Sequence, residues 1–373
     1  MEISAIKVYF NALSFLAVVL LWGVSLWNGT VKALLLAVWH GALGDGPPLK
    51  TDYTGIIVID YPIALLVAFF FYGTNAHDEA YQLFLLDAYS LLQSAFIWLY
   101  LESYRRQGKV GASWVKRPLA FGLLWQCLGG AISLPLYYAQ HLPWALQDKL
   151  PHTHDVDHAK ALPIGYLLGA IVPTLVGMAP TWLGPGARSA ISHQTILAAW
   201  QPDPIWVSCI ISLCASMFAL FRGGSSGDSP RARSTAFAWA RFSYLLAAIL
   251  SGMAHIYVMG RVLLSTNPDV NFVRMYVPFL INGPEGTSSN IFVFGPWLFL
   301  QYDLIIMSLS SLSWVWILLR SLPGQSRPSS SILGLYFATG ALVIGPGATV
   351  SSALFYREQF LSEQSGSTRG KGH

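Results

Sequence analysis

The chain has 373 residues, of which 54% are apolar and 11% charged, and its formal net charge is +4. The apolar residues come in runs of about the 20 that are needed to cross a hydrocarbon core, so the composition excludes a water-soluble protein and predicts an all-α polytopic transmembrane helical bundle. The mild positive charge is spread over loops and no nucleic-acid module is present, so we expect no nucleic-acid partner.

Nine apolar runs are candidate spans, and the segment GTVKALLLAVWHGALG after the first of them predicts an interfacial or re-entrant helix. No internal repeat is visible. We expect one transmembrane domain over residues 1–355, followed by a disordered polar tail over residues 356–373. The nine runs cover residues 8–27, 55–73, 80–101, 119–141, 161–182, 204–221, 239–264, 297–319 and 332–355.

Lys and Arg residues in three loops predict the orientation of the chain. The loop 102–117 holds five of them, 222–241 four and 320–331 two, so all three loops should face the cytoplasm. Three runs separate the first two loops, and an odd number of crossings cannot return the chain to one side. The run 161–182 is the best candidate for a non-spanning segment because it contains Pro163, Pro173 and Pro180.

This assignment predicts about eight spans, within a range of 7 to 9. Both termini and the long loops 142–160 and 265–296 would then lie on the lumenal side of the membrane. We expect the protein to reside in the endoplasmic reticulum, with the lipid bilayer as its surroundings; the sequence does not determine an oligomeric state.

Four ionisable residues inside apolar runs are the main candidates for catalysis, since a charge at membrane depth is costly and usually functional. With a rise of 1.5 Å per residue, Asp87, His255 and Asp303 lie about 10 to 14 Å from the lumenal ends of their runs, and Asp60 lies near ~20 Å. These depths predict one tall cavity. The alternative is that the four residues pair across helices and only hold the bundle together.

Aromatic residues on the same helical faces are candidates for binding a substrate. Asp87 shares its face with Phe84 and Trp98, Asp303 shares its face with Met307 and Trp314, and His255 lies on one side with Tyr244. Such faces suit a long apolar molecule better than an aqueous pore. The predicted substrate-binding residues are Phe84, Trp98, Tyr244, Tyr302, Trp314, His77 and Glu79.

The last two of these belong to the turn NAHDEAY, where the acids could instead cap the following helix. A second polar cluster, HTHDVDH at residues 152–158, contains side chains that bind metals. Because it lies in a polar loop with no second set of ligands, a solvated loop is favoured, and we expect no metal site and no cofactor.

No DDxxD, NDxxD, HExxH or P-loop pattern occurs, and the one GxSxG match, GGSSG at residues 223–227, lies in a Gly/Ser/Arg-rich linker without the strand that this motif follows in hydrolases. Neither metal-assisted ionisation of a diphosphate nor standard hydrolase chemistry is therefore indicated. Buried carboxylic acids among aromatic rings remain. Desolvation raises the pKa of a buried aspartate, which can then donate a proton at neutral pH, and aromatic faces stabilise cations.

The segments IDYPIAL, NAHDEAYQLFLLDAYS and FLQYDLI, with Asp60, Asp87 and Asp303, resemble the fungal integral-membrane terpene cyclases of meroterpenoid pathways, of the ascochlorin and ascofuranone type. The resemblance implies that a prenylated aromatic polyketide, often with a terminal epoxide on a farnesyl tail, is cyclised by protonation without cofactor or metal. The smaller cyclases of this chemistry carry an intramembrane Glu and Asp, whereas this chain has no Glu inside a predicted span.

We therefore expect Asp303 or Asp60 to protonate an epoxide or olefin, and a second acid or His255 to take the final proton. Three other interpretations stay open. One is a sterol-isomerase-like enzyme, although such enzymes usually have about four spans. Another is a proton-coupled secondary transporter, although transporters usually have paired repeats. The third is a non-catalytic lipid-binding protein.

Overall fold

The computed structural model describes residues 2–105, 114–146, 154–222, 229–278, 290–322 and 329–367. Within these ranges the chain is all-α, and the only β-type pairs are two isolated bridges, Ala42 with Pro48 and Arg105 with His154. The predicted fold class is confirmed.

The described residues form fourteen helices. They are α1 Ile3–Trp27, α2 Thr30–His40, α3 Ile57–Thr74, α4 Glu79–Ser103, α5 Pro118–Leu128, α6 Gly130–Ala145, α7 Val156–Leu183, α8 Ala190–Trp200, α9 Asp203–Arg222, α10 Pro230–Leu264, α11 Phe272–Tyr276, α12 Ile291–Arg320, α13 Ser330–Val343 and α14 Pro346–Ser367.

Seven of these helices, in the described part of the chain, are long and apolar enough to cross a membrane. This number lies within the predicted range. Helix α4 is central, because nearly all of its side chains are buried, including the polar Gln93 and Glu102. The seven helices are α1, α3, α4, α7, α9, α10 and α12.

Helices α5 and α6 form a re-entrant hairpin that corresponds to the apolar run 119–141. The turn between them is Gly129, with φ +105°, and Ser133 Oγ in α6 donates to the Phe121 carbonyl in α5 at 2.7 Å. The rings of Phe121 and Tyr137 also meet, with centroids 5.1 Å apart. The two helices therefore lie side by side, and we call residues 118–145 the first hairpin.

The chain enters and leaves the first hairpin at one end of the bundle. Arg105, just after α4, pairs with His154, just before α7, in an isolated bridge. We call this end the basic end, because Arg105, Arg117 and Arg320 lie at helix ends there.

Two sequence predictions about this region are wrong. The run 161–182 is not the best candidate for a non-spanning segment, because α7 is a candidate span of 28 residues. A π-helical turn at Leu167–Ile171 precedes Pro173, and a turn at residues 178–179 precedes Pro180. The loop 142–160 does not lie opposite the basic loop 102–117, since His154 contacts Arg105. The run 119–141 folds back instead.

Helices α13 and α14 form a second hairpin, residues 330–367, in place of the predicted span 332–355. Gly345, with φ +84°, makes the turn, and Tyr336 Oη donates to the Thr349 carbonyl at 3.2 Å. Helix α14 then reaches the basic end, where Arg357 Nη1 contacts Glu102 at 2.8 Å.

Both chain ends also depart from the prediction. Tyr9 Oη lies 2.9 Å from Ser313 Oγ, so α1 starts beside the last part of α12, towards the basic end. Helix α14 continues to Ser367 with Arg357 and Glu358 buried, so the ordered chain extends past the predicted boundary at residue 355. Residues 368–373 of the predicted tail lie outside the described residues.

Candidate functional site

A cavity of about 290 Å³ lies between α1, α2, α3, α4, the tip of the first hairpin and α12. Its lining is almost wholly apolar, and among the lining residues Asp303 is the only acid. Aromatic residues contribute much of the wall: Trp22, Phe69, Phe70, Tyr89, Trp125 and Phe299.

Asp303 on α12 is held by the first hairpin. Its side chain is 3% exposed, and Oδ1 accepts a hydrogen bond from the backbone N–H of Ala131 at 2.7 Å. Ala131 is the second residue of α6, so the carboxyl lies at a helix N-terminus, where free N–H groups and the helix dipole favour negative charge. No described side chain makes a hydrogen bond to Asp303.

Gly129 allows this contact. A Cβ at this position would lie 3.0 Å from Asp303 Oδ1 and 2.7 Å from Leu21 Cδ2, and its φ of +105° disfavours L-residues. The glycine therefore lets the tip of the hairpin, with the first N–H groups of α6, reach α12.

Aromatic rings surround this carboxyl. Phe299, one helical turn before Asp303, makes edge contacts with Trp22 and Phe69 at centroid distances of 5.8 and 5.3 Å. Tyr89 lines the same cavity, and its ring meets Trp200 at 4.8 Å. Rings that turn their faces to the cavity would stabilise a cation formed there.

Asp87 and His255 form a pair and do not line this cavity, although their equal depths predict that both line one tall cavity with Asp303. Asp87 Oδ1 lies 2.8 Å from His255 Nδ1, and Tyr276 Oη donates to Asp87 Oδ2 at 2.7 Å. His255 Nε2 faces the Leu342 carbonyl at 3.3 Å. The pair joins α4 and α10 to α11 and to the tip of the second hairpin.

Asp60 also lies away from the cavity lining. It is buried in the first turn of α3, where Oδ1 accepts hydrogen bonds from the N–H and hydroxyl of Thr54, both at 2.8 Å, and Oδ2 accepts from the Gly55 N–H at 3.0 Å. These contacts hold the segment that leads into the helix.

The predicted substrate-binding aromatics pack between helices. Trp98 Nε1 donates to Ser351 Oγ at 2.9 Å, Trp314 Nε1 to His141 Nδ1 at 3.0 Å, and Tyr244 Oη to Glu102 at 3.3 Å. Phe84 contacts Tyr276 and Trp297. None of these four lines the cavity.

The other three predicted binding residues are also outside the lining. Tyr302 is half-buried, next to Asp303 in sequence. His77 is exposed, and Glu79 contacts Arg261 at the surface.

The sequence reasoning missed a buried ionic cluster at the basic end. Glu102 accepts from Arg105 and His141, each at 2.9 Å, and from Arg357 at 2.8 Å. Glu358 contacts Arg105 at 2.5 Å and His154 Nε2 at 2.8 Å. The cluster joins α4, α6 and α14.

His154 therefore does not lie in a solvated loop, as the HTHDVDH pattern was interpreted. It is buried and bound to Glu358 and to the Leu101 carbonyl, whereas His158 pairs with Asp155 at 2.9 Å. Across the residues that the structure describes, no three His, Cys, Asp or Glu side chains are grouped as metal ligands.

Fold and site together define a helical membrane protein with an acid-bearing, aromatic cavity. Residues 6–362 match the CtvD domain, and the chain belongs to this family. It is 27% identical to terpene cyclase DEP1 of Fusarium langsethiae, over 93% of this chain and 96% of the relative. The same comparison gives 26% identity to terpene cyclase ascI of Acremonium egyptiacum, over 88% and 85%.

A further relative, terpene cyclase alnG of Emericella nidulans, is 21% identical over 95% of this chain and 94% of its own length. No solved structure matches the chain. The resemblance to fungal terpene cyclases that the sequence predicted is confirmed.

Proposed function

We propose that this protein is a membrane-embedded terpene cyclase that protonates an epoxide or olefin of a prenylated aromatic polyketide with a farnesyl tail. The observation that carries the proposal is the position of Asp303, the only acid among the residues that line an aromatic cavity. The names of its relatives support cyclisation of a terpenoid as the reaction class.

The reaction starts when protonated Asp303 transfers its proton to the epoxide oxygen. The C–O bond to the more substituted carbon breaks, and positive charge develops on that carbon. The π electrons of a neighbouring alkene then form the new ring bond. At the end a proton leaves the product and returns to the Asp303 carboxylate, so substrate and product have the same mass.

Two features of Asp303 suit a proton donor. Burial in an apolar cavity favours the neutral acid before the reaction. After proton transfer, the N–H of Ala131 and the N-terminus of α6 stabilise the carboxylate that remains. General acids of this kind accelerate reactions by about 10² to 10⁴-fold.

Asp303 fits this role better than Asp60, because the carboxylate of Asp60 accepts hydrogen bonds from Thr54 and Gly55 in the segment before α3 and does not line the cavity. The predicted acceptor of the final proton is a second acid or His255, but Asp87 and His255 bind each other away from the cavity lining. We therefore assign both steps to Asp303, which donates the first proton and accepts the final one.

The test uses the purified full chain in lipid nanodiscs with a farnesylated phenol that carries a terminal epoxide. We expect a cyclised product of unchanged mass. A diol, which is heavier by one water, or no reaction with epoxide and olefin substrates alike, would contradict the proposal. A sterol with a shiftable double bond, assayed in parallel, tests the sterol-isomerase alternative.

A further inference from the structure

The cavity has an opening on the side of the bundle. Three of its lining residues are also exposed on the protein surface: Leu35 on α2, Pro62 on α3 and Cys127 at the tip of the first hairpin. Leu35 is 41% exposed. The cavity therefore reaches the surface at these three residues, which we call the lateral mouth.

The surface around the lateral mouth is apolar. Leu36 and Trp39 on α2 are 44% and 78% exposed, and Ile59 on α3 and Leu128 on α5 are 42% and 37% exposed. Among these helices α3 is a candidate membrane span, and α2 packs against it. Exposed apolar side chains on and beside such a span face lipid rather than water. The lateral mouth therefore opens towards the bilayer.

The interior offers few hydrogen bonds to a polar group. Thr30 Oγ1 already donates to Asn28 at 2.7 Å, and Gln126 Nε2 donates to Gln201 at 2.6 Å. A polar ring that entered this cavity would lose hydrogen bonds to water or to lipid head groups and could replace them only at the few polar side chains of the lining, such as Ser25, Tyr89 and Asp303. The volume of about 290 Å³ also lies at the lower end of ligand cavities, which hold about 300 to 1,000 Å³.

We infer that the substrate enters from the bilayer through the lateral mouth with its apolar tail first, so that the tail reaches Asp303 while the polar aromatic head stays at the mouth. This inference rests on the proposed function, whose substrate class it refines. The head group then contributes little to substrate recognition, which is determined by the tail.

Photo-crosslinking tests the orientation without requiring turnover. Two analogues of a farnesylated phenol are used in nanodiscs that contain the full chain, one with a diazirine on the phenol and one with a diazirine at the far end of the tail. We expect the phenol probe to label peptides that contain Leu35 or Pro62, and the tail probe to label the α12 peptide around Phe299 and Asp303. The reverse pattern, or equal labelling by both probes, would overturn the inference.

A matched pair of variants tests the route. Leu35 lines the lateral mouth, and its neighbour Leu36 is equally exposed on α2 but does not line the cavity. We expect Leu35→Trp to lower kcat/KM about tenfold, as overpacking of an apolar site does, and Leu36→Trp to leave it unchanged. Equal effects of both variants would exclude this route.

The outcomes separate the two proposals. Tail-first crosslinking without cyclisation would leave the route intact and refute the reaction. Cyclisation with head-first crosslinking would refute the route and leave the reaction intact.

Discussion

Asp303 lies between an apolar cavity and the first turn of α6, which have opposite effects on the charge of its carboxyl. An apolar cavity favours a neutral carboxyl, and the N–H of Ala131 would stabilise the carboxylate that the proposed proton transfer leaves behind. The sequence alone identifies Asp303 as an aspartate within an apolar stretch, because this pattern involves only neighbouring residues in the chain. It cannot find Ala131 as its partner, because the contact joins residues 172 positions apart.

The same limit applies to the aromatic wall of the site. Helical spacing correctly grouped Asp303 with Met307, which lines the cavity, but it also grouped Asp303 with Trp314, which binds His141 elsewhere. Phe299 lies one turn before Asp303 and has the same spacing. Periodicity identifies a face of a helix, and only tertiary packing decides which part of that face meets a cavity.

Gly129 is expected to be essential for the position of Asp303. In Gly129→Ala the new methyl group would meet Leu21 and Asp303 Oδ1, so the tip of the first hairpin should shift and turnover should fall by at least about tenfold. Turnover per folded protein and the thermal midpoint are measured together. Gly184→Ala is the matched control, since Gly184 also has positive φ, +88°, but a Cβ there meets nothing within 4 Å.

Both alanine variants should lose about 1 to 2 kcal/mol of stability from backbone strain. Only Gly129→Ala should lose turnover. If the two variants were equally active, the contact between the first hairpin and Asp303 would not matter for the reaction.

At the scale of elements, most helices follow from the sequence, and the two hairpins do not. A run of about 20 apolar residues has the same hydropathy whether it crosses the membrane or turns back midway. Two glycine pairs mark the turns in the sequence: Gly129 with Gly130 in the first hairpin, and Gly345 with Gly347 in the second. Glycines and prolines in the run 161–182 are equally disruptive by composition, yet α7 remains a candidate span, with a π-helical turn and a second turn at residues 178–179.

Loop tags test this arrangement. Because Arg105 and His154 pair at the basic end, we expect reporter tags inserted between residues 105 and 114 and between residues 146 and 154 to lie on the same side of the membrane. Tags between 222 and 229 should give the same signal. A tag between 278 and 290, beyond α11, is the control for the opposite side.

Opposite signals from the first two positions would mean that residues 118–145 cross the membrane after all. In that case the described contact between α5 and α6, and with it the position of Ala131 beside Asp303, would need a different explanation.

At the scale of the whole molecule, the buried ionic cluster fastens the bundle at the basic end. Glu102 binds Arg105, His141 and Arg357, so one carboxylate joins α4 to the first and second hairpins. Removing one partner from such a buried cluster leaves uncompensated charges. Glu102→Gln should therefore cost about 3 to 5 kcal/mol of stability.

Thermal unfolding in nanodiscs measures this loss. Glu79→Gln is the matched control, because Glu79 pairs with Arg261 at the surface, where both side chains are more than a third exposed. Such surface pairs contribute about 0 to 1 kcal/mol. Equal shifts of the two thermal midpoints would show that the cluster does not hold the bundle together.

The most direct measurement compares turnover and thermal stability of Asp303→Asn with those of the unmodified chain. An asparagine Oδ1 can still accept the Ala131 N–H, so the first hairpin stays in place and the thermal midpoint should change little. The transferable proton is lost, and turnover should fall by about 10² to 10⁴-fold, whereas Asp60→Asn, altered outside the cavity lining, should keep its turnover per folded protein. Near-normal cyclisation by Asp303→Asn would contradict the assignment of Asp303 as the proton donor.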